Sequence, residues 1–438
     1  MKNYRLLLSC LFVFWAYILS AQNPIIRDQF SADPTARVFN GKVYLYPSHD
    51  IPTPPGKNLR ENWFCMEDYH VFSSENLTDW TDHGVIVTQT KVPWLTRINY
   101  DMWAPDCVFK NGKYYFYFPV GGRIGVATAD KPEGPYTVLD KPVEGIRGID
   151  PCVLIDKDGQ SYIFSAMGRI SVAKLKDNMI ETDGQPQTIG NLPTKGLIEG
   201  PFAFELNGRY YLTYPHVENT IERLEYSMSD SPMGPYKQVG VIMDESPSGC
   251  WTNHHSLVKY NGQWYLFYHD RDYSPNFDKN RSVRVDSLFF NSDGTIRKVI
   301  PTLRGVGLTS ALTQIEIDRY SKISDKGASI AFLDTLNTFK GWKTKLETGD
   351  GWVQYNSVDF GKEKLKTIYV RAISGTGGIL QVRRNNNEGP VIARVKIPAG
   401  NDWELIKAKV SDFKPGVCNL VVSLTENKPV EVDWIKFE

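Results

Sequence analysis

The apolar positions of this chain fall in short runs broken by turn residues, and no stretch keeps the 3.6-residue period of an amphipathic helix. One unit recurs: a Gly, one further residue, then an aromatic-rich run. It occurs as Gly41-Lys42-Val43-Tyr44-Leu45-Tyr46 and again as Gly112-Lys113-Tyr114-Tyr115-Phe116-Tyr117. Further copies begin at Gly159, Gly208 and Gly262, each preceded, like the first two, by Asn or Asp (Asn40, Asn111, Asp158, Asn207, Asn261). Asn-Gly or Asp-Gly between apolar runs is a strong hairpin signal, because both residues tolerate positive φ. The pattern therefore predicts five hairpins.

The hairpin glycines are 71, 47, 49 and 54 residues apart. A period of about fifty residues without helices fits a four-stranded propeller blade, and five copies predict a five-bladed β-propeller. The longer first interval holds the Pro-rich stretch Ile51–Asn58, read as an inserted loop. A second repeat agrees with the first: Ala129-Asp130-Lys131-Pro132 before Gly134-Pro135-Tyr136 recurs as Ser229-Asp230-Ser231-Pro232 before Gly234-Pro235-Tyr236. From Leu308 to Thr313 the repeat is gone, and the segment reads as a linker. Beyond it, Gly351–Tyr355, Val358–Gly361, Gly377–Arg383 and Asp433–Phe437 read as short strands of a β-sandwich. The expected organisation is all-β: residues 1–21 as a signal peptide, 22–309 as a five-bladed propeller, and 313–438 as a β-sandwich module.

The leader follows from its own pattern. Lys2 and Arg5 precede an apolar run from Leu6 to Leu19 that closes on Ser20-Ala21, the layout of a secretory signal peptide and too short to span a bilayer comfortably. The mature chain is expected to be exported, periplasmic or extracellular, with no membrane span. Across 438 residues, 50 Lys+Arg balance 50 Asp+Glu, and losing the leader leaves 48 against 50. Such a balance excludes a strongly basic nucleic-acid binder. Of the six cysteines, Cys10 lies in the leader, and the odd remainder (Cys65, Cys107, Cys152, Cys250, Cys418) reads as mostly buried free thiols. Aromatic residues make up 13% of the chain, enough both to build strands and to leave flat faces for sugar rings.

A polar residue stands six to nine positions before each hairpin Gly: Asp33, Asp106, Asp150, Glu199 and His254. In a propeller this offset falls on the innermost strand of each blade, so the five side chains are expected around one funnel. Crowded carboxyls separate in pKa, which supplies the protonated acid and the ionised base that glycoside hydrolysis needs. Taken singly, each acid is equally suited to satisfying backbone N–H groups at a strand end. Pro34, Pro151 and Pro201, following three of the acids closely, favour a common role for the set.

Ser31-Ala32-Asp33-Pro34-Thr35, Met102-Trp103-Ala104-Pro105-Asp106, Gly148-Ile149-Asp150-Pro151 and Ile198-Glu199-Gly200-Pro201, in that order, resemble glycoside hydrolase family 43 over about residues 24–309. The resemblance implies an inverting enzyme, with Asp33 as general base, Glu199 as general acid and Asp150 raising the pKa of the acid and holding it in place. It also implies an axial ion, usually calcium, beside a histidine; His254 aligns best and His255 is the fallback. One imidazole cannot specify calcium, so water would supply most of the ligands. Arg281 matches an arginine on the substrate side that could hold sugar hydroxyls and steady Glu199, with Arg284 on the opposite face of the same strand. Trp103 is a candidate wall for the sugar, and Asp50 a candidate contact to its hydroxyls.

The C-terminal run resembles a family 6 carbohydrate-binding module, in which two aromatic residues and an asparagine form a sugar cleft. Tyr355 and Trp403 match the aromatic positions, while Glu431 stands where the asparagine is usual, leaving sugar binding by the module open. The expected activity is exo-release of arabinofuranose or xylose from plant polysaccharide, without an organic cofactor or a protein partner. Galactan-acting and endo-arabinanase activities, or a non-catalytic sugar-binding propeller, are the alternatives.

Overall fold

The computed structural model describes residues 23–57, 60–318, 320–336, 340 and 342–438. The expected signal peptide, with Cys10, and Asn58 of the inserted loop lie outside the described residues.

Five antiparallel sheets follow one another along the chain. The first blade holds β1 (Ala32–Phe39), β2 (Lys42–Asp50), β3 (Met66–Ser74) and β4 (Thr81–Thr88). The second holds β5 (Asp106–Lys110), β6 (Lys113–Val120), β7 (Arg123–Ala129) and β8 (Thr137–Val138). In the third are β9 (Ile149–Ile155), β10 (Ser161–Ala166), β11 (Ile170–Leu175) and β12 (Thr182–Thr188). The fourth contains β13 (Phe202–Leu206), β14 (Arg209–Val217), β15 (Glu222–Ser229) and β16 (Lys237–Met243), and the fifth β17 (His255–Tyr260), β18 (Gln263–Asp270) and β19 (Ser282–Leu288). The first strands of successive blades neighbour one another, and β17 returns to β1, closing the ring. The fifth sheet has three strands; residues 23–31 run along its free edge, with Ile25 N–H donating to Val283 O and Ser31 N–H to Arg281 O, both at 2.9 Å.

Four of the five predicted hairpins are two-residue turns with both φ values positive, such as Asn40 (51°) and Gly41 (78°) between the paired Phe39 and Lys42. The same holds at Asn111-Gly112, Asn207-Gly208 and Asn261-Gly262. The third differs: β9 and β10 pair at Ile155 and Ser161, so the loop spans residues 156–160, and only Gly159 there has positive φ. Gly159 N–H donates to Asp156 O, making a turn that ends in a left-handed glycine. Most of the abundant aromatics pack between blades. Tyr46, Tyr69, Phe116 and Phe118 are fully buried in one such layer, and in another Phe204 of the fourth blade packs on Trp264 of the fifth at 5.2 Å.

The C-terminal module is a sandwich of two six-stranded sheets around a core that includes Val353, Val370, Val382, Leu420, Val432 and Phe437. The expected strands Gly351–Tyr355 and Val358–Gly361 form one strand, Trp352–Asp359, bulged between Tyr355 and Val358. The expected linker also differs: Thr309 and Ser310 pair in parallel with Val358 and Asp359, so this segment is part of a sandwich sheet. All five described cysteines are free, four of them buried. Among the described residues no helix is long and apolar enough to cross a membrane.

Candidate active site

Three of the polar positions enter one cavity by the same local device. Between Ala32↔Ser48 and Thr35↔Tyr46, β1 carries one residue more than β2, a bulge that contains Asp33. Between Ile149↔Ala166 and Cys152↔Phe164, β9 has the same surplus around Asp150. Asp33 and Asp150 adopt left-handed φ of 46° and 52°, each directly before a proline, where that conformation is disfavoured. The chain in front of β13 repeats the surplus between Ile198↔His216 and Phe202↔Thr213, with Gly200 at φ 53°. A Cβ on Gly200 would stand 2.8 Å from His254 Nδ1 and from the Pro215 ring, so this position accommodates only glycine. Bulges re-aim side chains at the rims of sheets. Here they turn Asp33, Asp150 and Glu199 into one cavity.

The cavity has a volume of about 110 Å³, and its wall combines the three acids with Trp63, Phe64, Trp103, Trp251, Asn253, His254 and Arg281. Trp103, expected as a sugar wall, lies there with a buried indole N–H that has no hydrogen-bond partner. Trp63, Phe64 and Trp251 were not anticipated. The first two arrive on the connection after the Pro-rich stretch, and Phe64 stacks on Trp251 at 6.3 Å.

Asp33 is held from every side. Arg281 Nη1 donates to its Oδ1 at 2.8 Å and Nη2 to its Oδ2 at 3.2 Å, and Ser48 Oγ donates to Oδ2 at 2.5 Å. His269 Nε2 donates to Thr252 O at 3.0 Å, which leaves Nδ1 to accept from the Asp33 amide at 3.1 Å. Burial opposes ionisation of Asp33, but Arg281, His269, His254 and Ser48 outweigh it and hold the carboxyl at about 2. Burial pushes Glu199 the other way, to about 7, with the charge of Asp33 adding to the rise. Asp150 is likewise pushed up, first by burial and then by Glu199, while its Oδ2 accepts the Gly200 amide at 2.9 Å. That bond ties Asp150 to the residue next to Glu199.

Glu222, on β15, escaped the sequence reasoning. It is fully buried, its Oε2 accepts the Asn253 amide at 2.5 Å, and its carboxyl is hydrogen-bonded to that of Glu199. Burial and the neighbouring Glu199 raise its pKa well above the carboxylate range, so Glu222 is the protonated partner of the pair. A lone Glu in an ordinary strand context carries no sequence signal.

Several expectations are corrected by the geometry. Asp50 does not line the cavity: its carboxylate accepts Arg281 Nε and Nη2, both at 3.0 Å, and the Arg281 amide at 2.8 Å. Arg281 faces the cavity, but its guanidinium is spent on Asp33, Asp50 and Thr252, so it steadies Asp33 rather than Glu199 or a sugar hydroxyl. Arg284 points to the other face, against Asp270 and Asp272. Asp106 is outside the cavity; β5 starts without a bulge, and Asp106 takes a bidentate bond from Arg37 at 2.8 and 2.7 Å. Tyr355 cannot contact sugar, because it is fully buried in the sandwich core with its hydroxyl donating to Ile317 O. Trp403 is half-buried, with Arg371 over its ring at 5.0 Å and Lys343 at 5.9 Å. Glu431 pairs with Lys343 at 2.7 Å.

For an axial ion, His254 and His255 differ in position. His254 lines the cavity, and burial lowers its pKa to about 4. His255 opens β17, its Nε2 lies 2.5 Å from Thr213 Oγ1, and its buried Nδ1 has no hydrogen-bond partner. Both polar side-chain atoms of Asn253 are likewise buried and unpartnered. These donors fit an ion held mainly through water, with one imidazole contact.

A ring of five blades whose funnel holds an ionised and a protonated carboxyl is the architecture of a glycoside hydrolase. The chain belongs to the glycosyl hydrolases family 43, whose profile matches residues 21–296, and the family is inverting and uses carboxylate catalysis. Residues 337–438 match the carbohydrate binding module (family 6). Xylosidase/arabinosidase 43A of Humicola insolens is 36% identical over 62% of this chain and 98% of its own length. A β-xylosidase/α-arabinofuranosidase from a compost microbial metagenome, solved with xylotriose in a calcium-free form, is 33% identical. It superposes with a TM-score of 0.57 over 64% of this chain and 98% of its own. An arabinoxylan arabinofuranohydrolase from Bacillus subtilis, solved with cellotetraose, is 25% identical with a TM-score of 0.56, covering 95% of this chain and 97% of that one.

Proposed function

We propose that the protein is an exported, exo-acting glycosidase that releases xylose or arabinofuranose from the ends or branches of plant cell-wall polysaccharide. Asp33 is the general base, Glu199 the general acid and Asp150 a positioning residue. The observation that carries this reading is the opposite displacement of two carboxyls in one cavity, Asp33 to about 2 and Glu199 to about 7. At neutral pH the first is ready to take a proton from water, and half of the second is ready to give one to the glycosidic oxygen. Water attacks the anomeric carbon from the Asp33 side as the bond to the leaving oxygen breaks, and the configuration inverts. Asp33 gains the proton of the water and Glu199 loses its own, and exchange with solvent restores both.

Exo action is supported by size. The cavity, about 110 Å³, is well below the ~300 Å³ at which pockets begin to enclose larger ligands, so it suits one sugar ring. Trp63, Phe64, Trp103 and Trp251 supply the apolar faces for that ring. The names of the relatives above support a pentose. An axial calcium ion with His255 as its one imidazole contact, in place of His254, would add positive charge to the funnel; His254 then serves the sugar side. Kinetics on aryl β-xyloside, α-arabinofuranoside and β-galactoside, with a product-length profile on arabinan and arabinoxylan, test the reading. Monosaccharide release from the pentosides is expected; internal cuts, or activity confined to galactosides, would overturn it.

A further inference from the structure

Away from the funnel, the first blade gathers two imidazoles and a carboxylate on adjacent strands. His49 is on β2, and Asp68 and His70 are on β3. One ligating atom from each lies within 4.8 Å of the others, and among the described residues no other group of three His, Cys, Asp or Glu does so. The strands are irregular here: between Ser48↔Tyr69 and Asp50↔Met66, β3 carries an extra residue opposite His49. The pairing of β3 with β4 shifts on both sides of His70. These irregularities bunch side chains that a regular ladder would spread.

The polar contacts prepare the group for a metal. His70 Nδ1 faces both carboxylate oxygens of Asp82, at 3.1 and 3.0 Å, which directs a proton to Nδ1 and leaves Nε2 with a free lone pair. Asp82 is in turn fixed by Gln29 Nε2 at 3.1 Å and by the Gly84 amide at 2.7 Å. A carboxylate behind a ligating histidine is the usual outer partner in imidazole–metal sites. His49 Nδ1 lies 2.7 Å from Asp68 Oδ1. The side chains of His49, Asp68 and His70 keep 20%, 21% and 15% of their surface exposed, so an ion can enter and solvent can complete its shell. Two imidazoles and a carboxylate with open positions suit a borderline divalent transition metal and not calcium, which prefers an all-oxygen shell. Ligand distances of about 2.0–2.2 Å require the three donors to close by roughly 1 Å, which side-chain torsions supply.

We propose that His49, Asp68 and His70 form a binding site for a divalent transition metal of the zinc class, with Asp82 orienting His70. Such an ion would cross-link β2 and β3 at the two roots of the connection that brings Trp63 and Phe64 to the cavity. It would also sit one residue from Asp50, which grips Arg281. Its role is to brace that wall, and it takes no part in the reaction.

The test is calorimetric titration of the full chain with Zn²⁺ in calcium-containing buffer, alongside thermal melting. Wild type is expected to bind about one equivalent and to melt at a higher temperature when saturated. His70→Gln should abolish the binding, Asp82→Asn should weaken it by ~10–100-fold, and His83→Gln, which removes an exposed histidine of the same blade outside the group, should leave it intact. Absence of binding by wild type, or an isotherm unchanged in His70→Gln, would overturn the site. If circular dichroism finds His70→Gln unfolded, electron paramagnetic resonance of Cu²⁺-loaded wild type decides. Nitrogen couplings from two imidazoles support the site, and oxygen-only coordination refutes it.

Discussion

Arg281 Nη1 lies 2.8 Å from Asp33 Oδ1, and both groups are almost fully buried. Breaking one partner of a buried pair leaves an uncompensated charge, at a cost of about 3–5 kcal/mol. Arg281→Met strands Asp33 and Asp50 together, so a loss at or above that range is expected in urea unfolding at pH 7. Asp33 has a folded pKa of about 2, below its unfolded value, so its share of stability is present above the unfolded pKa and lost as pH falls toward 2. The penalty of Arg281→Met should therefore shrink at low pH, where both carboxyls can protonate. An equal penalty at pH 7 and near pH 2 would refute the ion-pair account.

Glu199 sets the alkaline limb of activity. With its pKa raised to about 7, kcat/KM should fall tenfold per pH unit above that value, while the limb due to Asp33 lies far into acid. The same shift acts on stability with a worked sign. The folded state holds this proton more tightly than the unfolded chain, so stability declines as pH rises from about 4.5 to 7, by roughly 3 kcal/mol at ~1.4 kcal/mol per unit. Glu199→Gln should accordingly raise Tm at pH 8 and leave it nearly unchanged at pH 4. Equal effects at both pH values would contradict the assignment.

Glu222 donates to Glu199 and so opposes the rise in its pKa. In Glu222→Leu that donor is gone, so the alkaline limb should move to higher pH, with a stability loss of ~1–3 kcal/mol from the unpaired Asn253 amide. Glu222→Gln, which keeps an N–H donor, should leave the limb close to wild type. A limb that stays in place in the leucine variant would show that the two carboxyls are uncoupled.

The two module aromatics separate by burial. Tyr355→Ala removes a fully buried ring and should cost about 3–5 kcal/mol in the unfolding of the module. Trp403→Ala, at a half-buried ring against Arg371 and Lys343, should cost under ~1 kcal/mol. Affinity electrophoresis on xylan then reports on sugar binding. A change with Trp403→Ala and none attributable to Tyr355 is expected if the module still binds.

The propeller was legible because Asn-Gly turns recur at the blade period, and period is what a linear sequence displays. Asp33 and Asp150 were legible as Asp-Pro pairs eight and nine positions before a hairpin Gly; their entry into the cavity depends on bulges, which need a partner strand to define them. Asp106, six positions before its hairpin Gly, starts a regular ladder, so it turned to Arg37. Glu222 could not be found, and Asp50 was expected at the sugar rather than on Arg281, since alternation tells which residues share a face but not which distant carboxyl or guanidinium that face meets. Tyr355 failed for the same reason: its strand was recognised, its inward orientation was not.

The central claim is the division of labour between Asp33 and Glu199, and leaving-group dependence tests it most directly. Asp33→Asn and Glu199→Gln should be compared on a dinitrophenyl glycoside, which needs no acid assistance, and on the matching unactivated disaccharide. Glu199→Gln is expected to lose at least ~100-fold in kcat on the disaccharide and little on the activated substrate, while Asp33→Asn loses at least ~100-fold on both. Equal losses by Glu199→Gln on the two substrates would contradict its role as the general acid.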